Sequence, residues 1–111
     1  MKILYVCSAN AIRSRTAEDF LDSHFTQHEI LSAGTNAKQC MQAGTVLLTE
    51  ELLIWADLVF AMEIVHQDRI KAAYPEYSNK IKVLGIPDVY KYGQSNLIEK
   101  LIWRSEQYLE T

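Results

Sequence analysis

Four short apolar runs, each followed by a stretch with a different periodicity, set the limits on what this chain can become. The runs cover residues 2–8, 29–33, 58–62 and 81–86 and are rich in Ile, Val, Leu and aromatics, as strands are. Between them, Ala17, Phe20, Leu21, His24 and Phe25 fall on one helical stripe, and so do Val65, Ile70, Ala73 and Tyr74. The second connection reads as a loop over 36–44 followed by a helix over 49–55 that Thr49 caps. A closing helix places Leu97, Ile98, Leu101, Ile102, Tyr108 and Leu109 along one stripe and leaves Glu99, Lys100, Arg104 and Glu106 to solvent. Parallel strands need crossovers, so strand and helix in alternation predict an α/β fold, a three-layer α/β/α arrangement with a four-stranded parallel sheet. Pro75 marks the end of a helix and Pro87 the exit from the last strand.

A chain of 111 residues that is 49% hydrophobic can build one buried core, so 1–111 is read as a single domain. A net charge of -3 supplies no electrostatic attraction to nucleic acid or to an anionic membrane surface, and neither is expected as a partner. Cys7 and Cys40 stand far apart and match no zinc-ligand spacing, which argues against a disulfide scaffold and against a metal site. No apolar run reaches 18 residues, and the N-terminal one is too short for a signal sequence. The expected location is the cytoplasm.

Chemistry concentrates where the first strand meets the first helix, at Cys7-Ser8-Ala9-Asn10-Ala11-Ile12-Arg13-Ser14. In a parallel α/β sheet the ligand crevice lies outside the carboxyl ends of the strands. A phosphate there meets unpaired amides and the positive end of a helix dipole, and Arg13 is spaced to return and grip two oxygens. The same field favours a thiolate at Cys7, and Ser14 can donate a hydrogen bond to its sulfur.

The octet CSANAIRS resembles the C-x5-R-S phosphate loop of the low molecular weight protein tyrosine phosphatases. Thr16-Ala17-Glu18, Ser32-Ala33-Gly34-Thr35 and the run from Ala56 to Glu63 are similar to that family in order and placement. Ile86-Pro87-Asp88 is similar to a segment of a short subgroup known as predicted protein tyrosine phosphatases. The resemblance implies a phosphotyrosine protein phosphatase I-like, Rossmann-like fold and a metal-independent, cofactor-free phosphomonoester hydrolase. Its substrate would be a phosphotyrosine protein or a small aryl phosphate. It further implies that Cys7 attacks phosphorus and Arg13 stabilises the equatorial oxygens. Asp88 acts as general acid, and Ser32 holds Asn10 so that the loop keeps its shape. Ser8, Ala9, Asn10, Ala11, Ile12 and Ser14 would form the phosphate cradle, with Tyr90 and Tyr92 flanking an aryl group.

Four features depart from the family pattern. Ile12 occupies the place of a second loop cysteine, Ala9 that of a glycine and Arg15 that of a proline, and the chain is shorter between Gly34 and Trp55. Ala9 raises the question of whether the loop keeps its geometry, and Arg15 adds positive charge near its mouth. His24 is expected to pack on the first helix, while Glu63 and His66 follow the third strand at the same crevice edge, placed to support rather than to react. Arsenate reduction uses a similar loop but needs more cysteines than Cys40. A non-catalytic phosphopeptide-binding module needs neither nucleophile nor acid, and a cysteine phosphocarrier would not retain Arg13 and Asp88.

Overall fold

The computed structural model describes residues 1–109. Its centre is β1 (Lys2–Cys7), whose residues from Ile3 onward are all buried, as a parallel strand covered on both faces requires. β2 (Glu29–Gly34), β3 (Leu58–Ala61) and β4 (Ile81–Val83) complete an all-parallel sheet of order β2-β1-β3-β4. The helices are α1 (Arg13–Leu21), α2 (Ala37–Ala43), α3 (Glu50–Trp55), α4 (Ile64–Ala73) and α5 (Ser95–Leu109).

Successive side chains of β1 point to opposite faces and divide the core in two. Ile3, Tyr5 and Cys7 join Ala17 and Leu21 of α1 and Leu97, Leu101 and Leu109 of α5. Leu4 and Val6 join Leu53 of α3 and Ile70 of α4 on the other face. The three expected layers are therefore present. The chain leaves β1 toward β2 through α1 and leaves β3 toward β4 through α4, in opposite directions and on opposite faces. A crevice opens where those connections diverge, at the carboxyl ends of β1 and β3.

Several element boundaries differ from the sequence expectation. Residues 36–44, expected as a loop, form α2: Asn36 Oδ1 accepts the Gln39 N–H at 2.9 Å, and Gly44 closes the helix at φ 68. It buries only Cys40, so it carries no apolar stripe to read. Thr49 does cap α3, accepting the Leu52 N–H. β4 ends at Val83, short of Ile86, because Gly85 turns the chain at φ 73. Ladder bonding nevertheless continues, with the Leu84 and Ile86 N–H groups donating to the Ala61 and Met62 carbonyls at 2.9 and 2.8 Å. α1 stops at Leu21, so His24 does not pack on the helix as expected; it is exposed in the following turn, edge-on to Phe25 and 3.3 Å from Glu106. No helix among the described residues is long and apolar enough to cross a membrane.

Gly34 ends β2 opposite Cys7. A methyl group there would fall 2.5 Å from Cys40 Sγ, closer still to the Ser8 carbonyl oxygen, and 3.0 Å from the Asn10 nitrogen. Gly34→Ala is expected to lower stability by about 2 kcal/mol through overpacking, and to reduce phosphate affinity because the displaced atoms belong to the loop. Thermal unfolding and phosphate titration of the variant check both effects; unchanged values would show that the loop yields without cost.

Candidate active site

Residues 8–12 leave β1 as a series of bends before α1 begins at Arg13. Among the described residues, no N–H from Ala9 to Ile12 is paired with a backbone carbonyl. The first N–H groups of α1 are free by helix geometry. The loop therefore presents a curve of unpaired donors at the positive end of a helix dipole, an anion cradle made of main chain.

Asn10 shapes that curve. It is fully buried and is the one non-glycine residue with positive φ, 55°, among those described. Asn tolerates this region better than most residues. Ala9 needs no positive φ, so the missing glycine does not disturb the turn. The Asn10 amide nitrogen donates to Ser14 Oγ and to Ser32 Oγ, both at 2.8 Å, and its Oδ1 accepts the Val46 N–H at 3.2 Å. Ser32 in turn donates to Glu18 Oε1 at 2.6 Å. Thr45 donates to the Ala9 carbonyl, and its neighbours pair with the end of β2 through Gly34 and Leu47. All side-chain hydrogens of Asn10 are thus used, which fixes its orientation.

Cys7 is buried with a free thiol, and its Sγ lies 3.0 Å from Ser14 Oγ. Cys40 is also a free, buried thiol, held against the Ser8 and Val46 carbonyls. Arg13 is only 4% exposed. Its Nη1 donates to Glu63 Oε2 and, at 2.8 Å, to the Ile86 carbonyl. Those two bonds consume the Nη1 hydrogens and leave the Nε and Nη2 edge, the fork suited to two oxygens of one anion. Asp88 Oδ1 stands 3.9 Å from that Nε, on a well-exposed side chain.

The structure therefore gathers Cys7, Arg13, Ser14, Asn10, Ser32 and Asp88, named from the sequence, at one sheet edge. Ala11 and Ile12 complete the loop; Ile12 packs against the core. Tyr90 is partly buried on the same core, whereas Tyr92 leans on α1, donating to Asp19 at 2.6 Å and edge-on to Phe20. Arg15 is engaged by Asp19 at 3.3 Å and Glu18 at 3.8 Å, so its charge is shared with its own helix.

Of four supporting residues, Thr45 and Val46 lie outside every segment that resembles the family, while Glu18 and Glu63 lie within such segments without a partner assigned there. Glu18, Thr45 and Val46 buttress the loop, and Glu63 holds Arg13. Glu63 was accessible through one signal, its place at the carboxyl end of β3. His66, one turn on, is 1% exposed; its Nδ1 accepts the Glu63 N–H at 3.0 Å and its Nε2 lies 2.9 Å from Ser8 Oγ. Burial, and next the positive charge of Arg13, hold its pKa down at about 4. Glu63 also lines an apolar recess of about 400 Å3 with Ile64, Val65, Val83, Gly85 and Pro87.

No protein-family model matches the chain. A low molecular weight protein-tyrosine-phosphatase, Ptp, from Acinetobacter johnsonii is 32% identical, over 84% of this chain and 82% of that protein. Among solved structures, the low molecular weight protein tyrosine phosphatase from T. tengcongensis is 29% identical. Its TM-score is 0.68, covering 94% of this chain and 99% of that one. A mutant of the YwlE arginine phosphatase with a phosphorylated active-site serine is 25% identical, with a TM-score of 0.75 over 99% and 97% of the two chains. Loop, sheet order and relatives agree, and the chain belongs to the low molecular weight protein tyrosine phosphatase family.

Proposed function

We propose that this chain, as one catalytic domain, hydrolyses phosphomonoesters without a metal ion, through a phosphocysteine at Cys7. The observation that carries the reading is the placing of the Cys7 sulfur 3.0 Å from Ser14 Oγ, under the mouth bounded by Arg13 and Asp88. A phosphate dianion docks on the amides from Ser8 to Ser14 and on the open edge of Arg13. The Cys7 thiolate forms a sulfur–phosphorus bond as the ester oxygen–phosphorus bond breaks, and Asp88 gives its proton to the departing oxygen. Asp88, now ionised, takes a proton from water, whose oxygen attacks phosphorus. Inorganic phosphate leaves and the thiolate is restored. Ser14, donating to sulfur, stabilises the thiolate as leaving group in that second step.

Phosphotyrosine in a protein, or a small aryl phosphate, is the substrate class this arrangement serves. We assign Tyr90, two residues after Asp88, and the apolar recess beside Glu63 as walls for an aromatic group, while Tyr92 is engaged by Asp19 and Phe20 of α1. Two free cysteines suit action in the cytoplasm, where thiols stay reduced.

The test is hydrolysis of para-nitrophenyl phosphate without added metal, with vanadate as inhibitor. Vanadate-sensitive turnover supports the reading, and a folded protein that binds phosphate without turnover refutes it. Asp88→Asn is expected to slow hydrolysis of phenyl phosphate roughly 100-fold, and that of para-nitrophenyl phosphate less, since a good leaving group needs no proton. Equal rates in variant and parent across both esters would reassign the acid.

A further inference from the structure

The pair Ser8 and His66 is not used by the chemistry above, yet it joins the residue after the nucleophile to the helix on the far side of the crevice. His66 is almost wholly buried at the third position of α4. A reciprocal capping box ties it down: the Glu63 side chain accepts from the His66 N–H, and His66 Nδ1 accepts the Glu63 N–H. An Nδ1 that accepts a hydrogen bond is unprotonated, so the ring hydrogen of this neutral imidazole sits on Nε2. The depressed pKa, about 4, keeps it in that form at ordinary pH.

The direction of the next bond then follows. Nε2–H donates across 2.9 Å, and Ser8 Oγ accepts. The hydroxyl hydrogen of Ser8 is left over. His66 is the only hydrogen-bond partner of that hydroxyl among the described residues, and Ser8 is half-buried, first in the loop after Cys7. A neutral acceptor at that point would have left the hydroxyl free to donate to the imidazole instead; the fixed tautomer forbids it.

We infer that His66 is a positioning residue which orients Ser8, so that the Ser8 hydroxyl donates to the phosphoryl group held in the loop. The inference rests on the phosphatase reading only for where the anion sits. His66 itself touches no substrate. The loop thereby gains one side-chain donor beyond its amides and Arg13, and that donor is supplied from the α4 side of the sheet.

Inorganic phosphate binding by titration calorimetry, alongside kcat and KM for para-nitrophenyl phosphate, tests this in the parent, Ser8→Ala, His66→Gln and the double variant. Glutamine at the third helical position still accepts the Glu63 N–H, so the start of α4 survives while the link to Ser8 is cut. Ser8→Ala is expected to weaken phosphate binding roughly tenfold, since a hydrogen bond to a charged group is lost. His66→Gln should weaken it comparably, and the double variant no further, because both changes remove one linkage. Unchanged phosphate affinity in Ser8→Ala overturns the inference, as do losses that multiply in the double variant. If His66→Gln does not fold, Ser8→Ala decides alone. Phosphate binding without turnover in the parent refutes the phosphatase reading but leaves the affinity comparison intact, whereas a parent that binds no phosphate refutes both.

Discussion

Cys7→Ser is expected to lower kcat for para-nitrophenyl phosphate by roughly four orders of magnitude or more, the scale seen when an enzyme loses its nucleophile. Inorganic phosphate should still bind close to its parent affinity. A serine hydroxyl needs a base to become nucleophilic, and Asp88, the carboxyl at the mouth, is required in its protonated form for that same step. His66, the buried imidazole nearest the loop, is already bonded on both nitrogens and is held neutral by burial and Arg13. The amide curve and Arg13 are untouched by the change, and Ser14 keeps a partner. Calorimetric phosphate binding with stopped-time hydrolysis assays separates the two effects. Undiminished hydrolysis by the variant would remove Cys7 from the mechanism.

Arg13→Lys should cost roughly a thousandfold in kcat/KM, the loss typical of removing preorganised charge from a developing oxyanion. The guanidinium serves two sets of partners at once. One nitrogen is committed to Glu63 and to the Ile86 carbonyl, and the opposite edge stays open for two phosphate oxygens. An ammonium has three donors around one atom and cannot span both sets. If lysine turns toward Glu63 the phosphate loses its clamp, and if it turns toward phosphate the Ile86 carbonyl and Glu63 lose their donor. Phosphate affinity should fall with kcat/KM in the same variant. Retention of activity within a few-fold would assign charge stabilisation to the amides alone.

The fold was legible because each strand carries its own apolar run and α1 and α5 carry stripes. The stripe expected for α4 fails: Val65 and Ala73 are exposed, Tyr74 lies past the helix end, and the buried face is His66 and Ile70, so α4 was found by its place between β3 and β4. β1 shows the limit of that reading, since a strand buried on both faces gives a continuous run rather than alternation, and only its length distinguishes it from helix. α2 stayed hidden because its stability comes from caps at Asn36 and Gly44 rather than from an apolar face. The expected packing of His24 failed for a related reason: the helical stripe continued in sequence past Leu21, where the backbone had already turned out of α1.

In the site, Cys7, Arg13 and Ser14 were readable from spacing, because a strand-to-helix loop brings its own residues together. Asp88 was named from the resemblance of Ile86-Pro87-Asp88 to the family, and its place after the last strand suits that role. Glu18, Thr45 and Val46 were not readable, because they act through contacts made only when β2 and its following segment fold back onto the loop. Glu63 and His66 lay at a strand end, so their neighbourhood was foreseeable, but the pairing of one with Arg13 and the other with Ser8 was not.

Those contacts reach far along the chain. Asn10 meets Ser32 across 22 residues, Ser8 meets His66 across 58, and Arg13 meets Ile86 across 73. The eight-residue loop consequently has little private stability: cut from the protein, the same octet would keep only Ser14 among the partners of Asn10 and would lose Ser32 and Val46, together with the Glu63 and Ile86 oxygens that aim Arg13. Its shape belongs to the whole sheet, so under the proposed function a change that loosens β2, β3 or the segment after β4 is expected to weaken phosphate binding as well as stability.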